Sequence, residues 1–469
     1  MAKLSIFLLI ALIILIYYLY SSRISRLIAK DQDGKLLKRK VSERLITQIS
    51  PEALQDSTKV SPDAYHVAYI CQAGSKQFVV VDGAMQKKYD ALTGLVFSWD
   101  SKRVAYLALE DNKQFVVVDG KEGKHYDWSG GYCVFSPDAQ HIAYSVMAGD
   151  KWLMVVDEKE GKQYDSIGKD TLIFSPDSKR LAYAAQIGNK WLAVVDGDEG
   201  KQYDVVGAST IKFSADSRHV VYAAQNGEKQ FVVVDRKEGK HYDGITCTLV
   251  FSPDSKHLAY VANLNSKYFI VMDTKEDKGY EAIGKGCPTF SPDGKRMAYL
   301  ATSGDKQFAV VDGKEERPYY GVVEVVFSPD SRHVAYITTI GNKQSVVLDC
   351  KEGKYYDGTG GLPIFSSDSQ HLAYAAALGI KWLVILDGKE GGKYDGINQN
   401  DPTFSPDGQH LGYAAVLGDK MTVVVDGQEG KKYDGVGTEV AGIIFDSPYS
   451  FHYIAAEGDN IYVVQESIR

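Results

Sequence analysis

The chain has 469 residues, 44% of them hydrophobic, and its 53 Lys and Arg against 61 Asp and Glu give a formal net charge of −8. No basic stripe interleaved with aromatics appears, which argues against nucleic acid as a partner. The five cysteines, Cys71, Cys133, Cys247, Cys287 and Cys350, are odd in number and widely spaced. They point to neither a disulfide framework nor a C-x-x-C metal site and are expected as buried apolar thiols.

Leu4 to Tyr20 is an apolar run of 17 residues, at the short end of what crosses a bilayer. Bulky residues follow it, Tyr18-Leu19-Tyr20-Ser21-Ser22-Arg23, instead of a small-x-small cleavage site, and Tyr17, Tyr18 and Tyr20 stand where an interfacial aromatic belt belongs. Residues 1–22 are therefore expected as a single-pass, uncleaved membrane anchor in preference to a cleaved signal, and residues 23–42 as a basic stalk beside the headgroups, either binding anionic lipid or serving as a solvated linker. The stalk charges would keep the remainder of the chain in the cytoplasm by the positive-inside rule. The very short tail ahead of the run is instead the usual shape of a signal-anchor that sends the remainder across.

From residue 43 to residue 469 the chain repeats itself. An F-S-P-D core places Asp63, Asp100, Asp138, Asp177, Asp216, Asp254, Asp293, Asp330, Asp368 and Asp407 in register, at intervals of 37 to 39 residues. A period near 40 residues is the mark of a repeat architecture. Within the copy at 174–204, Leu181–Ala185 and Trp191–Val195 are short apolar runs bounded by turn residues, too short for helices and apolar on both faces. Ser175-Pro176-Asp177-Ser178 has the residues of a type I turn, Gly188 centres the next turn, and Asp196–Gly200 the third. Each repeat thus spells four antiparallel strands, a to d from the inside outward, and the all-β fold expected is a β-propeller.

The F-S-P-D-x-K-R-h-A-Y pattern, where h is apolar, resembles that of the TolB-like, PD-repeat (WD-repeat-like) propellers of bacteria, over essentially everything from residue 43 onward. The resemblance implies the fold and little about function, because such propellers serve as docking platforms, peptidase appendages and occasionally enzymes. Export, common among them, favours the extracytoplasmic side for the propeller over the cytoplasmic one.

After Asp407 comes a degraded copy, Ile443–Pro448, Phe451–Ala455 and Ile461–Val464, that stops before a fourth strand, whereas Glu43–Ile49 is strand-like with no blade of its own. Joining the two ends removes an exposed sheet edge and gives about eleven four-stranded blades. One ring is favoured because no linker marks a seam; two tandem propellers of five or six blades are the alternative.

No H-E-x-x-H, P-loop or G-x-S-x-G pattern is present, and the recurring Asp of S-P-D is explained by turn capping without a metal. No cofactor is expected. Departures from the repeat cluster where strand a begins, facing the central channel: Lys169, Asp170, Lys285, Glu324, Asn398, Asn400, Asp401 and Glu439. Polar groups converging on a channel mouth form a candidate binding site, and a solvated funnel with scattered charges is the plainer reading. Ten lysines, Lys76, Lys113, Lys151, Lys190, Lys229, Lys267, Lys306, Lys343, Lys381 and Lys420, open strand c and would ring the same face, either attracting an acidic partner or acting as hairpin solubilisers. The expected function is a membrane-anchored, non-catalytic platform for a protein or small ligand. The alternative is a propeller enzyme of the lactonase or lyase kind at the channel mouth.

One regularity concerns stability. The residue three after each turn Asp is a base, His66, Arg103, His141, Arg180, His219, His257, Arg296, His333, His371 or His410, and an Asp stands sixteen residues further on, from Asp82 to Asp426. Equidistance from the b–c turn predicts cross-strand ion pairs, each contributing roughly 0.2 to 1 kcal/mol.

Overall fold

A computed structural model describes residues 38–284, 288–398, 402–437 and 442–468, so the Leu4 to Tyr20 run lies outside the described residues. Every described element is a strand. They form eleven separate antiparallel sheets, each with strand order a-b-c-d, and strand b of blade 4, Leu181–Ile187, pairs along its whole length with strand c, Lys190–Val195. These are the runs that are apolar on both faces, and the reason is where the core sits. Each apolar cluster lies between blades: Tyr203 and Ala193 of blade 4, for instance, pack with Phe213, Tyr222 and Phe231 of blade 5.

The ring closes through the chain's two ends. Arg39–Gln48 pairs with Asn460–Ile468 as strand d of blade 11, and Ile46, Ile454 and Val463 of that blade pack on Val67, Tyr69 and Phe78 of blade 1. Strand d therefore begins four residues before the boundary expected at residue 43, and residues 39–42 belong to the last blade instead of the stalk. The reason is Arg39. Its Nε lies 2.7 Å from Glu466, its Nη1 donates to the carbonyls of Val423 and Gln428, and Glu466 is buried while Arg39 is partly so. Glu43 takes the place of the strand-d Glu of other blades, accepting from Lys431 and from the Tyr433 hydroxyl at 2.6 Å.

Each S-P-D turn is the type I turn expected. Ala64 N–H donates to the Ser61 carbonyl at 2.9 Å, Asp63 accepts from the Ser61 hydroxyl, and the residue after the Asp is left-handed, as at Ser178 with φ 64°. The turns also couple neighbours, since Asp177 N–H donates to the Ser217 hydroxyl of the next blade at 3.0 Å. The a–b and c–d turns make one face of the ring, here called lower. The b–c turns and the links from strand d to the next strand a make the other, upper face.

Candidate functional site

The upper rim of the channel is built by strand a, and strand a comes in two forms. In blades 2, 3, 6, 8 and 9 it is one strand of seven or eight residues, such as Ala91–Phe97 and Gly358–Phe365. In blades 4, 5, 7, 10 and 11 it is broken in two, as at Ser166–Ile167 and Ile173–Phe174. In blade 1 only Lys59–Val60 and a bridge at Ala53 remain.

The second residue of strand c in the preceding blade separates the two forms. Gln77, Gln114, Gln230, Gln307 and Gln344 precede the continuous strands, and their side-chain oxygens accept the N–H groups of Leu92, Ser129, Ile245, Val322 and Thr359 at 2.7 to 3.0 Å. Trp152, Trp191, Tyr268, Trp382 and Met421 precede the broken strands, and Ile461 precedes blade 1. Those side chains offer no such acceptor, and the chain folds into a local turn instead. Gly168 N–H donates to the Ala184 carbonyl, and the Thr171 hydroxyl both donates to the Gly168 carbonyl at 2.7 Å and accepts Ala184 N–H at 3.1 Å. Thr210 repeats this between Gly207 and Ala223, and Ser57 between Leu54 and Ile70. The hydroxyl satisfies a strand-b donor that would otherwise lack a partner.

This division places the expected site residues. Lys169 and Asp170 are the two middle residues of the blade 4 turn, with Asp170 left-handed at φ 60°, a conformation that Asp tolerates. Asn398 takes the place of Gly168 in blade 10, its N–H donating to the Ala414 carbonyl at 3.0 Å. Glu324 is exposed at the bulge of the continuous strand a of blade 8, beside a hollow of about 400 Å³ that includes Gly284, Thr302 and Gln307. The four therefore stand on blades 4, 8 and 10, and only Lys169 and Asp170 share a turn. Lys285, Asn400, Asp401 and Glu439 lie outside the described residues.

The sequence reading missed Lys212. It occupies the position held by Ile173, Val250 and Val326 in other blades, and burial pulls its ammonium below the usual lysine range. With Asp170, Thr171, Ile173 and Ile211 it lines a hollow of about 640 Å³ on the channel side. Alignment of the repeats carried the signal, since that position is charged only here and at the exposed Lys59 of blade 1.

Eight of the ten lysines of the ring are held in one recurring ion-pair clamp. Lys113 lies 2.6 Å from Asp127, whose second oxygen accepts Gly149 N–H of the next blade's b–c turn at 2.9 Å. The same clamp holds at Lys76, Lys151, Lys190, Lys229, Lys343, Lys381 and Lys420. Lysine pairing draws Asp127 below the usual carboxylate range. At the blade 7–8 junction the carboxylate is replaced by Tyr320, over whose ring Lys306 sits at 3.4 Å.

Exposed apolar side chains stand on the upper face of blades 8 and 9. Tyr320 is 64% exposed and stands beside Ile340, also exposed, while Ile380 at the b–c turn of blade 9 is 89% exposed. The corresponding tip residue is Ser75, Asn112, Asp150, Asn189, Glu228 or another polar residue in the other ten blades.

All ten base–acid pairs form, with His66 Nδ1 2.6 Å from Asp82 and Arg180 Nε 2.8 Å from Asp196. The register sets Leu181, not Arg180, opposite Asp196, so the geometry differs from the expectation by one residue. The carboxylate spans both positions, accepting Leu181 N–H with one oxygen and the Arg180 guanidinium with the other. Asp426 holds the His410 imidazole above its ordinary value.

Of the cysteines, Cys71 and Cys133 are buried, and burial pushes the Cys133 thiol up to about 12. Cys350 departs from the expectation. It is exposed in a c–d turn with its Sγ 2.9 Å from Glu316, a carboxylate that raises the thiol to about 11.

No family model and no curated protein matches the chain. Solved structures similar to it include a eukaryotic initiation factor, at 11% identity over 71% of this chain and 96% of that one with a TM-score of 0.40. TolB from Acinetobacter baumannii matches at 15% identity over 61% and 80% with a TM-score of 0.26. Hydrazine synthase from Kuenenia stuttgartiensis matches at 13% over 63% and 94% with a TM-score of 0.25. By its own sheet topology the chain is an eleven-bladed β-propeller, and TolB is among the structures similar to it.

Proposed function

We propose that this chain is a membrane-tethered, non-catalytic platform that docks a protein partner on the upper face of blades 8 and 9. The observation that carries the reading is Ile380, 89% exposed at a turn tip that is polar in every other blade. Folding gives no reason for an isoleucine there, and an exposed apolar area bounded by charged clamps is what a docking surface requires. Tyr320, at the blade 7–8 junction of the same face, supplies an aromatic anchor with a cation held over its ring. The tether is the Leu4 to Tyr20 run, with the propeller on the extracytoplasmic side.

A photo-crosslinking residue placed at Ile380 in the full-length chain in its own membranes is expected to give a discrete adduct that Tyr320→Asp abolishes. The same residue at Asp419, the equivalent tip of blade 10, is expected to give none. Adducts of equal yield at both tips contradict the reading. For the tether, the full chain should remain with membranes through a carbonate wash, and protease added to intact cells should cleave the propeller.

The second reading, a channel enzyme of the lactonase or lyase kind, has Lys212 in its favour, a lysine with a lowered pKa beside a hollow. Stoichiometric metal in the purified protein, lost together with a hydrolytic activity on removal, would favour it.

A further inference from the structure

The chain enters the ring at its lower face. Arg39 is in register with Ile468 at the lower end of strand d, and Ile468 N–H donates to the carbonyl of Tyr449 in the a–b turn of the same blade at 2.9 Å. Residues before Lys38 therefore leave from the lower rim of blade 11. Between Tyr20 and Lys38 stand 17 residues, a reach of at most about 60 Å even when fully extended.

The lower face is not uniform. Among the described residues of blades 3 to 10, every exposed large apolar side chain lies in strand a, in its lead-in or at the b–c hairpin, none at the lower face. The lower ends of blades 11, 1 and 2 hold three: Tyr449 at 59% exposure and Trp99 at 67% in a–b turns, and Met85 at 62% on strand d beside the c–d turn. Each departs from the repeat towards apolarity. Trp99 replaces the Pro of S-P-D, Met85 replaces the strand-d Glu represented by Glu122 and Glu160, and Tyr449 follows Pro448 where the other turns carry Asp. The three blades are contiguous, since His452 of blade 11 lies 2.7 Å from the Asp63 carbonyl of blade 1 and Asp63 N–H donates to Ser101 of blade 2.

We propose that the lower face of blades 11, 1 and 2 seats on the lipid surface from which the chain emerges, with Trp99, Met85 and Tyr449 in the headgroup layer. Trp and Tyr partition to that layer because one end of each ring system is apolar and the other hydrogen-bonds. Exposed Lys102 in the turn of Trp99, and exposed Lys121 at the start of strand d of the same blade, can meet lipid phosphates. The propeller then tilts, holding the upper face of blades 8 and 9 away from the bilayer. This inference rests on the membrane tether proposed above.

The test uses the full-length protein reconstituted in vesicles of phosphatidylcholine and phosphatidylglycerol, with and without brominated acyl chains. Flotation with the vesicles reads the tether. Quenching of tryptophan emission by the brominated lipid reads the seat: the native protein is expected to be quenched, Trp128→Phe to be quenched as the native protein is, and Trp99→Phe to lose the effect. Flotation with no quenching, or quenching that persists in Trp99→Phe, overturns the seat and leaves the tether standing. Failure to float overturns both. Shielding of Trp99 from iodide that rises with protein concentration in detergent, without lipid, would identify a second copy as the occupant and overturn the inference.

Discussion

Blades 2 and 4 are made from nearly the same repeat, yet their inner strands differ. Blade 2 receives a Gln77 side chain at the Leu92 N–H and runs as one strand from Ala91 to Phe97. Blade 4 receives Trp152, breaks after Ile167, and satisfies its strand-b donor with the Thr171 hydroxyl. The difference teaches that the conformation of one blade's inner strand is tied to a side chain of the blade before it. It also gives a structural origin to polar residues at the channel rim, since Lys169 and Asp170 are turn residues made necessary by the break. Glu324, on a continuous strand, has no such explanation.

The largest expected effect comes in blade 11, one of the broken form, whose outer strand comes from the other end of the chain. Arg39→Ala leaves Glu466 as a buried, unpaired charge and should cost about 3 to 5 kcal/mol, read as a lowered midpoint of denaturant unfolding. An unchanged midpoint would mean that the seam is closed by strand pairing alone.

Smaller effects separate the two forms of strand a. Gln77→Leu leaves the Leu92 N–H without its acceptor and Thr210→Val does the same to Ala223 N–H, each at about 1 to 3 kcal/mol. Thr93→Val on the exposed side of a continuous strand should stay within about 0.5 kcal/mol. Equal costs for all three would erase the distinction between the blade forms.

The smallest effect concerns pH. Asp426 raises the folded-state pKa of His410 above its unfolded value, so the pair's contribution is fully present below the unfolded pKa and is lost as pH rises through the folded one. His410→Gln should therefore flatten stability between mildly acidic and mildly alkaline pH by less than about 1 kcal/mol. A histidine titration placing His410 at or below the model-peptide value would contradict this.

Much of this was legible in the sequence because the repeat writes its turns plainly. Ser-Pro-Asp, Gly188 and Asp-Gly fix three turns per blade, and the missing strand of the last copy announced the closure by Glu43 to Ile49. The base–acid pairs were legible because a hairpin relates residues across its own turn. The Lys113–Asp127 clamp was not, because its partners sit on either side of the link between two blades, where hairpin symmetry gives no guidance. The Gln or Trp choice stayed hidden for the same reason, since its partner is the next blade's backbone. The candidate site was read from polarity alone. Polarity could not separate a turn residue such as Asp170 from an unexplained one such as Glu324.

The coupling between blades is tested most directly by amide hydrogen exchange resolved to single residues in Gln230→Met. The Ile245 N–H, bonded to Gln230 at 2.7 Å in the native protein, should lose its protection, while Leu92, Val322 and Thr359, held by their own glutamines, keep theirs. Unchanged protection at Ile245 would contradict the account.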